Sequence, residues 1–390
     1  MHRTISIIGS TGSIGLSTLS IVNKKKLSIN LLSANKNYKA ICYQVKKYKP
    51  KYFVISNISI YKKVKKKFKR TKTKFLNNFD VTKNIKKTDI TVAAIPGISG
   101  LDPTIKMIAK SKKILLANKE SIICGWSLIK QVAKKNNTLL IPVDSEHYSI
   151  LKLLEHTNIE NIKKIFITAS GGPFLNYKIS DLKKVTPKEA LKHPKWKMGK
   201  KITIDSSTLM NKIFELVEAQ KLFNIPISKL DILIHPNSLI HAIIKLKNGL
   251  NIFIYHETSM IIPLANGIFD GKINIDEFYK TKKKSNIEFE DLVFKKVDPK
   301  IFPTISLKKI ANEHPSTPII INSCNEVLVD QFLRGNIPFL SIYKIIMTIL
   351  KDRNYKKYAI RTSKTISEIY KINDWAKKIT LDKLKKFKND

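Results

Sequence analysis

The chain has 390 residues, 43% of them hydrophobic and 26% charged, with a formal net charge of +42 and a pI near 10.0. That is the composition of a globular protein of two or three domains. It holds no apolar run of the roughly 18 residues needed to span a bilayer. Its three cysteines, Cys42, Cys124 and Cys324, have neither disulfide nor metal-site spacing, which fits a reducing, cytoplasmic setting. The basic excess is almost entirely lysine, with arginine only at 3, 70, 334, 353 and 361, whereas dedicated nucleic-acid readers lean on arginine.

Thr4 to Ile8 reads as a strand, so no leader segment is expected before it. It runs into Gly9-Ser10-Thr11-Gly12-Ser13-Ile14-Gly15 and a helical pattern. Strand, glycine turn and helix start are the setting of a dinucleotide fingerprint, here spaced GxxGxxG. A tight βα turn without ligand is the alternative. The next strand, Leu27 to Ser33, ends in Ala34-Asn35-Lys36-Asn37. NAD enzymes usually place an acid there for the ribose 2′-hydroxyl. A lysine instead favours a 2′-phosphate and therefore NADP(H). Further strands are expected at Lys51–Ser56, Ile90–Ala94, Ile114–Ala117 and Leu139–Val143. The last two end in the polar clusters Asn118-Lys119-Glu120-Ser121 and Asp144-Ser145-Glu146-His147.

Asp144 and Glu146 stand two apart at a strand end. In extended backbone they point the same way. Two carboxylates aimed at one point either flank a cation, Mg²⁺ or Mn²⁺ by donor type, or belong to a solvated turn. Ile165–Thr168 is read as a strand before Ser170-Gly171-Gly172, a backbone-donor turn suited to an anion.

The stretch from His193 begins as a basic loop with Trp196, Met198 and Gly199. Asp205, Ser206, Ser207 and Thr208 are read as helix-start residues. On a wheel of about 100° per residue, Leu209, Met210, Ile213, Phe214, Leu216 and Val217 share one face. Asn211, Lys212, Glu215 and Glu218 share the other. That polar stripe is either a solvated face or a site behind a serine-rich helix N-terminus that favours phosphate. Ile232–Ile234 and Leu239–Lys245 flank His235-Pro236-Asn237-Ser238, and Leu250–Tyr255 follows the turn dipeptide Asn248-Gly249; these read as antiparallel-sheet signals, with an apolar face suited to a dimer. Residues 270–299 read as a linker. Helices are expected to begin at Ser323 and to cover Ile342–Leu350 and Ala359–Tyr370.

Together these strings resemble the 1-deoxy-D-xylulose 5-phosphate reductoisomerase family. The resemblance rests on GSTGSIG at 9–15, LANKES at 116–121, PVDSEH at 142–147, ASGGPF at 169–174, HPKWKMGKKITIDSSTLMNK at 193–212, IHPNSLIH at 234–241 and NEV at 325–327. It implies an α/β fold in three parts. Residues 1–143 would be a Rossmann-like NADPH domain. Residues 144–269 would be an α+β catalytic and dimerisation domain with a mobile lid near 192–200. Residues 300–390 would be a helical bundle, and the protein a homodimer. It implies metal ligands at Asp144, Glu146 and Glu215. Contacts to a phosphorylated substrate would fall on Lys119, Ser145, Glu146, Ser170, His193, Ser206, Asn211, Lys212 and Glu215, with Trp196 and Met198 in the lid. NADPH contacts would fall on Thr11, Gly12, Ser13, Ile14, Lys36, Asn37, Asn118, Glu120 and Gly199. The catalytic set would be Lys119, Asp144, Glu146 and Glu215.

The implied reaction rearranges the substrate's carbon skeleton and then reduces it, giving 2-C-methyl-D-erythritol 4-phosphate for isoprenoid synthesis. Asn35, Ile213-Phe214 and the segment 256–259 depart from the family pattern. Two other classes are weighed. A metal-free NADP-dependent dehydrogenase would leave the three acids without a role. A lysine-rich nucleic-acid binder would carry a basic stripe with interleaved aromatics, which is not found; neither nucleic acid nor membrane is an expected partner.

Overall fold

A computed structural model describes residues 3–80, 85–196, 198–278 and 291–387. The chain forms two compact units. The first takes residues 1–121, 126–148 and 259–288; the second takes 122–125, 149–258 and 289–390.

Seven short apolar runs build the first unit's sheet. They are β1 (Thr4–Ile8), β2 (Ser28–Ala34), β3 (Tyr52–Ile55), β4 (Lys74–Leu76), β5 (Thr88–Ala93), β6 (Ser111–Leu116) and β7 (Leu139–Pro142). They lie in the order β4-β3-β2-β1-β5-β6-β7, with every neighbouring pair parallel. Runs such as Ile-Ile at the end of β1 are buried throughout, as a sheet covered on both faces requires. The order turns back at β1, whose Ile8 lies between Ser33 of β2 and Ala93 of β5. Such a reversal opens a crevice beyond the strand C-termini, and the turn at Gly9 sits there. The short edge strand β4 was not expected from the sequence.

Residues 259–278 join this unit instead of the catalytic part in which 259–269 were placed. The helix Ile261–Phe269 is largely apolar, and its Leu264, Ala265 and Ile268 enter the same core as Ile5, Val92 and Leu115. At Gly267 a Cβ would stand 3.1 Å from a Leu115 methyl, so a small residue permits the approach. Lys113 closes the helix's far end on Asp270 at 2.6 Å. Of the expected linker, residues 279–290 lie outside the described residues.

The second unit holds a mixed five-stranded sheet. Its strands are β8 (Ile162–Ala169), β9 (Leu230–Ile234), β10 (Ile240–Leu246), β11 (Asn251–Tyr255) and β12 (Lys295–Lys296), ordered β11-β10-β8-β9-β12. β10 pairs antiparallel with β8 and β11, but β8 and β9 are parallel. This corrects the expected antiparallel pairing across His235-Pro236-Asn237-Ser238. β8 lies between β9 and β10, so that segment is a crossing and not a hairpin turn.

The helical region also differs in its boundaries. The helix expected from Ser323 begins at Thr317, with Pro318 in its first turn, where the missing N–H costs nothing. Ala359 ends the short helix Tyr355–Ala359, and a separate helix runs Ile366–Phe387. Thr365 and Glu368 start the latter reciprocally: the Glu368 N–H donates to Thr365 Oγ1 at 3.2 Å, and the Thr365 N–H donates to the Glu368 carboxylate at 3.2 Å. Among the described residues no helix is long and apolar enough to cross a membrane.

Candidate active site

In the first unit, the three glycines of the turn have separate duties. Gly9 has φ +89°, and a Cβ there would meet the Ala94 carbonyl oxygen at 2.6 Å. A Cβ at Gly15 would meet the Gly9 carbonyl oxygen at 2.4 Å, so the helix can lie tight on the turn only without one. Gly12 precedes the helix Ser13–Lys25, and no side chain caps it. The first N–H groups of that helix, beside half-buried Thr11 and exposed Ser13, form an anion-binding end.

Lys36 is exposed past the end of β2. Asn37 accepts the Ala40 N–H at 3.1 Å and so caps the following helix. Asn118 is buried; it accepts the Ser121 N–H at 2.5 Å and donates to the carbonyls of Gly97, at 3.0 Å, and Ile95. Both asparagines thus carry structural work that sequence reasoning did not assign. Glu120 is buried in the first turn of the helix Lys119–Asn136. Gly199 belongs to the second unit, where it precedes the helix Lys200–Ser207.

Beyond β7 the expected extended run through Asp144 and Glu146 is absent. A helix, Ser145–Leu154, begins at once. The Glu146 N–H donates to Asp144 Oδ1 at 3.3 Å. The physical reason is local: a carboxylate ahead of a helix caps its open N–H groups. The two acids are therefore neighbours across a helix start, not along a strand. Ser145 Oγ donates to Glu146 Oε2 at 2.6 Å. Lys119 Nζ stands 3.1 Å from Asp144 Oδ2, and His147 Nδ1 stands 3.3 Å from Oδ1. Burial alone would raise the Asp144 pKa. The Lys119 ammonium and His147 outweigh it and hold this carboxyl well below its usual range. His147 is fully buried and was not singled out from spacing; its position three after Asp144 on a new helix was the available signal.

In the second unit, a histidine gathers two hydroxyls. Ser170 follows β8, and Gly171 and Gly172 take φ +83° and +61°. His193 Nδ1 accepts the backbone N–H groups of Lys195, at 3.2 Å, and Trp196, at 2.9 Å. The neutral ring therefore carries its proton on Nε2. That atom is 3.1 Å from both Ser170 Oγ and Ser206 Oγ. Burial, with the charge of Lys212, lowers the His193 pKa to about 4. An unfolded imidazole takes its proton near 6.5, so the unfolded state binds more protons between the two values. Stability from this site is complete above the upper value and is lost as pH falls through the window. Urea unfolding near pH 7 and about pH 4.5 should show this loss, and His193→Gln should shrink it; an equal loss in the variant rejects the assignment.

The helix expected to start at Asp205–Thr208 is two helices. Lys200–Ser207 ends there, Leu209 breaks the path with φ +65°, and Met210–Phe223 follows without a side-chain cap. Ser206 thus belongs to a last turn, not a first. Asp205 is buried, accepting from Asn325 Nδ2 at 2.7 Å and from Lys201 at 2.9 Å. Neither Asp205 nor Asn325 was identified as a contributor from spacing.

The polar stripe is not solvated: Lys212 is 7% and Glu215 1% exposed. Lys212 Nζ donates to Glu215 Oε2 at 2.6 Å, and Asn211 donates to Oε1. A buried ammonium whose charge acts on the His193 ring, the two hydroxyls that ring gathers and an amide donor make a set that fits a dianionic phosphate. Trp196 and Met198 are half-buried in the connecting loop; Lys197 lies outside the described residues. The carboxylates Asp144, Glu146 and Glu215 are hard oxygen donors without thiols, a set that fits Mg²⁺ or Mn²⁺.

Three family profiles match the chain. The profile described as 1-deoxy-D-xylulose 5-phosphate reductoisomerase covers residues 5–125, and the profiles of its C-terminal domains cover 140–223 and 257–379. A curated 1-deoxy-D-xylulose 5-phosphate reductoisomerase from Pelagibacter ubique (strain HTCC1062) is 43% identical over 380 residues, spanning 96% of this chain and 97% of the relative. One from Wolbachia sp. subsp. Drosophila simulans (strain wRi) is 36% identical over 357 residues, 90% of each. Among solved structures, a DOX-P reductoisomerase in complex with NADPH, fosmidomycin and magnesium aligns with TM-score 0.90 and 28% identity over 99% of each chain. The Zymomonas mobilis enzyme in complex with NADPH aligns with TM-score 0.87 and 31% identity over 98% of this chain and 99% of that one.

Proposed function

The chain belongs to the 1-deoxy-D-xylulose 5-phosphate reductoisomerase family, and from that premise we propose how its residues share the work. It converts 1-deoxy-D-xylulose 5-phosphate to 2-C-methyl-D-erythritol 4-phosphate with NADPH and a divalent metal ion. When bound, the ion supplies Lewis acidity toward the substrate's carbonyl and neighbouring hydroxyl oxygens, and NADPH supplies hydride. Asp144, Glu146 and Glu215 would hold the ion. Mn²⁺ serves there as well as Mg²⁺, since both accept an all-oxygen donor set.

The phosphate is taken by Ser170, Ser206, Asn211 and Lys212. The observation that carries this is the His193 ring, whose Nε2 is 3.1 Å from both serine hydroxyls. One serine receives its proton, and both hydroxyls are held in place before substrate arrives. Ser145 steadies Glu146 through its 2.6 Å hydrogen bond and reaches a substrate hydroxyl. Lys119 holds a proton beside Asp144 and can pass it to a substrate oxygen. Trp196 and Met198 close over the substrate and exclude water. The direct test is loss of NADPH absorbance on mixing the protein with 1-deoxy-D-xylulose 5-phosphate, NADPH and Mg²⁺. No loss without substrate or without metal, and loss with both, is the expected pattern.

Thr11, Gly12, Ser13 and Ile14 take the pyrophosphate, Lys36 and Asn37 the adenosine end, and Asn118, Glu120 and Gly199 the nicotinamide side. Lys36 supports NADPH over NADH because a cation there attracts the 2′-phosphate. Lys36→Glu should cut the NADPH/NADH ratio of kcat/KM by roughly one to two orders of magnitude, because attraction becomes repulsion at one phosphate. A ratio equal to wild type would reject Lys36 as the selector.

A second copy of the chain covers the outer part of the five-stranded sheet, supported by Leu250 and Phe253, 61% and 44% exposed beside and on β11. Phe253→Lys should shift sedimentation equilibrium toward monomer. The enzyme works in the cytoplasm, in keeping with three buried cysteines, none of them joined in a disulfide.

A further inference from the structure

The segment after β11, His256-Glu257-Thr258-Ser259, has no part in the chemistry above. Its backbone continues the sheet. Tyr255 pairs with Ile240, and the His256 N–H donates to the Leu239 carbonyl at 2.9 Å. This brings His256 alongside His241, the second residue of β10. The two imidazoles stack with centroids 4.0 Å apart and planes 17° from parallel.

Both nitrogens of His256 have neighbours. Nδ1–H donates to the Glu257 carbonyl at 2.9 Å, which leaves Nε2 as the acceptor toward Ser149 Oγ at 3.5 Å. Burial lowers its pKa, so the ring stays neutral and can lie face to face with another imidazole. His241, 2% exposed, in turn meets Trp196 edge-on, with centroids 6.2 Å apart and planes at 69°. That is a favourable aromatic arrangement. A chain of three rings therefore runs from the end of β11 to the loop residue assigned to cover the substrate.

We propose that His256 is a positioning residue for the lid: stacked on His241, it fixes the ring against which Trp196 seats. It acts through His241, not on the substrate. The proposal rests on the reading of Trp196 as a lid residue. The His256 ring, with neighbours at both nitrogens, packs face to face on His241 and holds one face of that ring in place. Trp196 then meets the same surface each time the loop closes, and less ordering is left to substrate binding.

The test uses the full-length protein labelled with 5-fluorotryptophan. Its three tryptophans, Trp126, Trp196 and Trp375, give separate ¹⁹F resonances, and Trp196→Phe identifies the relevant one. In substrate-free His256→Ala the Trp196 resonance should shift and broaden while the other two stay fixed. KM for substrate should rise about three- to tenfold, the range expected for one aromatic pair, with kcat changing less. His256→Phe keeps the stack without the nitrogens and should restore both readings. An unmoved Trp196 resonance in His256→Ala overturns the proposal. Failure of His256→Phe to restore either reading overturns stacking as the cause. A resonance that moves with KM unchanged also overturns the positioning role, and locates the error in the lid reading of Trp196, not in the ring contact.

Discussion

Glu215→Gln should lower kcat by about three orders of magnitude and weaken Mn²⁺ binding, while NADPH binding stays near wild type. The substitution keeps shape and removes one negative charge from the proposed ligand set. Several kcal/mol of transition-state charge stabilisation depend on a well-held ion, and each ~1.4 kcal/mol is tenfold in rate. NADPH should be indifferent because Glu215 is not among the residues assigned to the cofactor. One side effect needs a control. Glu215 is 1% exposed and pairs with Lys212 at 2.6 Å, so the variant leaves a buried ammonium with a weaker partner. Urea unfolding of the variant separates a lost ligand from a lost fold. Unchanged Mn²⁺ affinity with near-normal turnover would remove Glu215 from the metal site.

The second large effect is expected at Lys212. Lys212→Met preserves length and apolar stem but deletes the buried cation assigned to phosphate. kcat/KM should fall by about two to three orders of magnitude, the scale of one charge-assisted contact to a buried anion. Stability loss could mimic this, so the decisive comparison uses a second substrate. 1-Deoxy-D-xylulose lacks the phosphate and should be a very poor substrate for wild type. Against it, wild type and Lys212→Met should perform alike, because the deleted group has nothing to hold. If the variant loses as much on the unphosphorylated compound, Lys212 serves the fold or Glu215, and the phosphate assignment fails.

Much of this was legible in the chain because it follows from local stereochemistry. Gly9 at φ +89° and the close approach at Gly15 are consequences of a strand running straight into a helix, and three glycines at that spacing announce it. Lys212 and Glu215 are one helical turn apart, so their pairing was implicit in the wheel, whatever surrounded the helix. The parallel strands of the first unit, β4 excepted, likewise declared themselves as short buried runs, with boundaries off by at most three residues.

Other features are non-local. Ser206 and Ser207 have the composition of a helix start, yet they end a helix, because Leu209 takes φ +65° while its side chain is 1% exposed. Burial outweighs a local preference of about a kcal/mol. The place of β8 between β9 and β10 depends on pairings between segments far apart, which alternating patterns leave degenerate. Helix Ile261–Phe269 looks from its sequence like any buried helix, and only the partner core shows that it belongs with β6 and not with β11. The His256–His241–Trp196 contacts join three segments whose residues have no spacing signal at all. The sequence by itself determined the glycine turn, the buried strands and the charged stripe, since backbone sterics and helical period act within a few residues. Which helix end carries Ser206, which sheet receives each segment and which rings meet were decided by packing, where long-range burial selects among local alternatives of nearly equal energy.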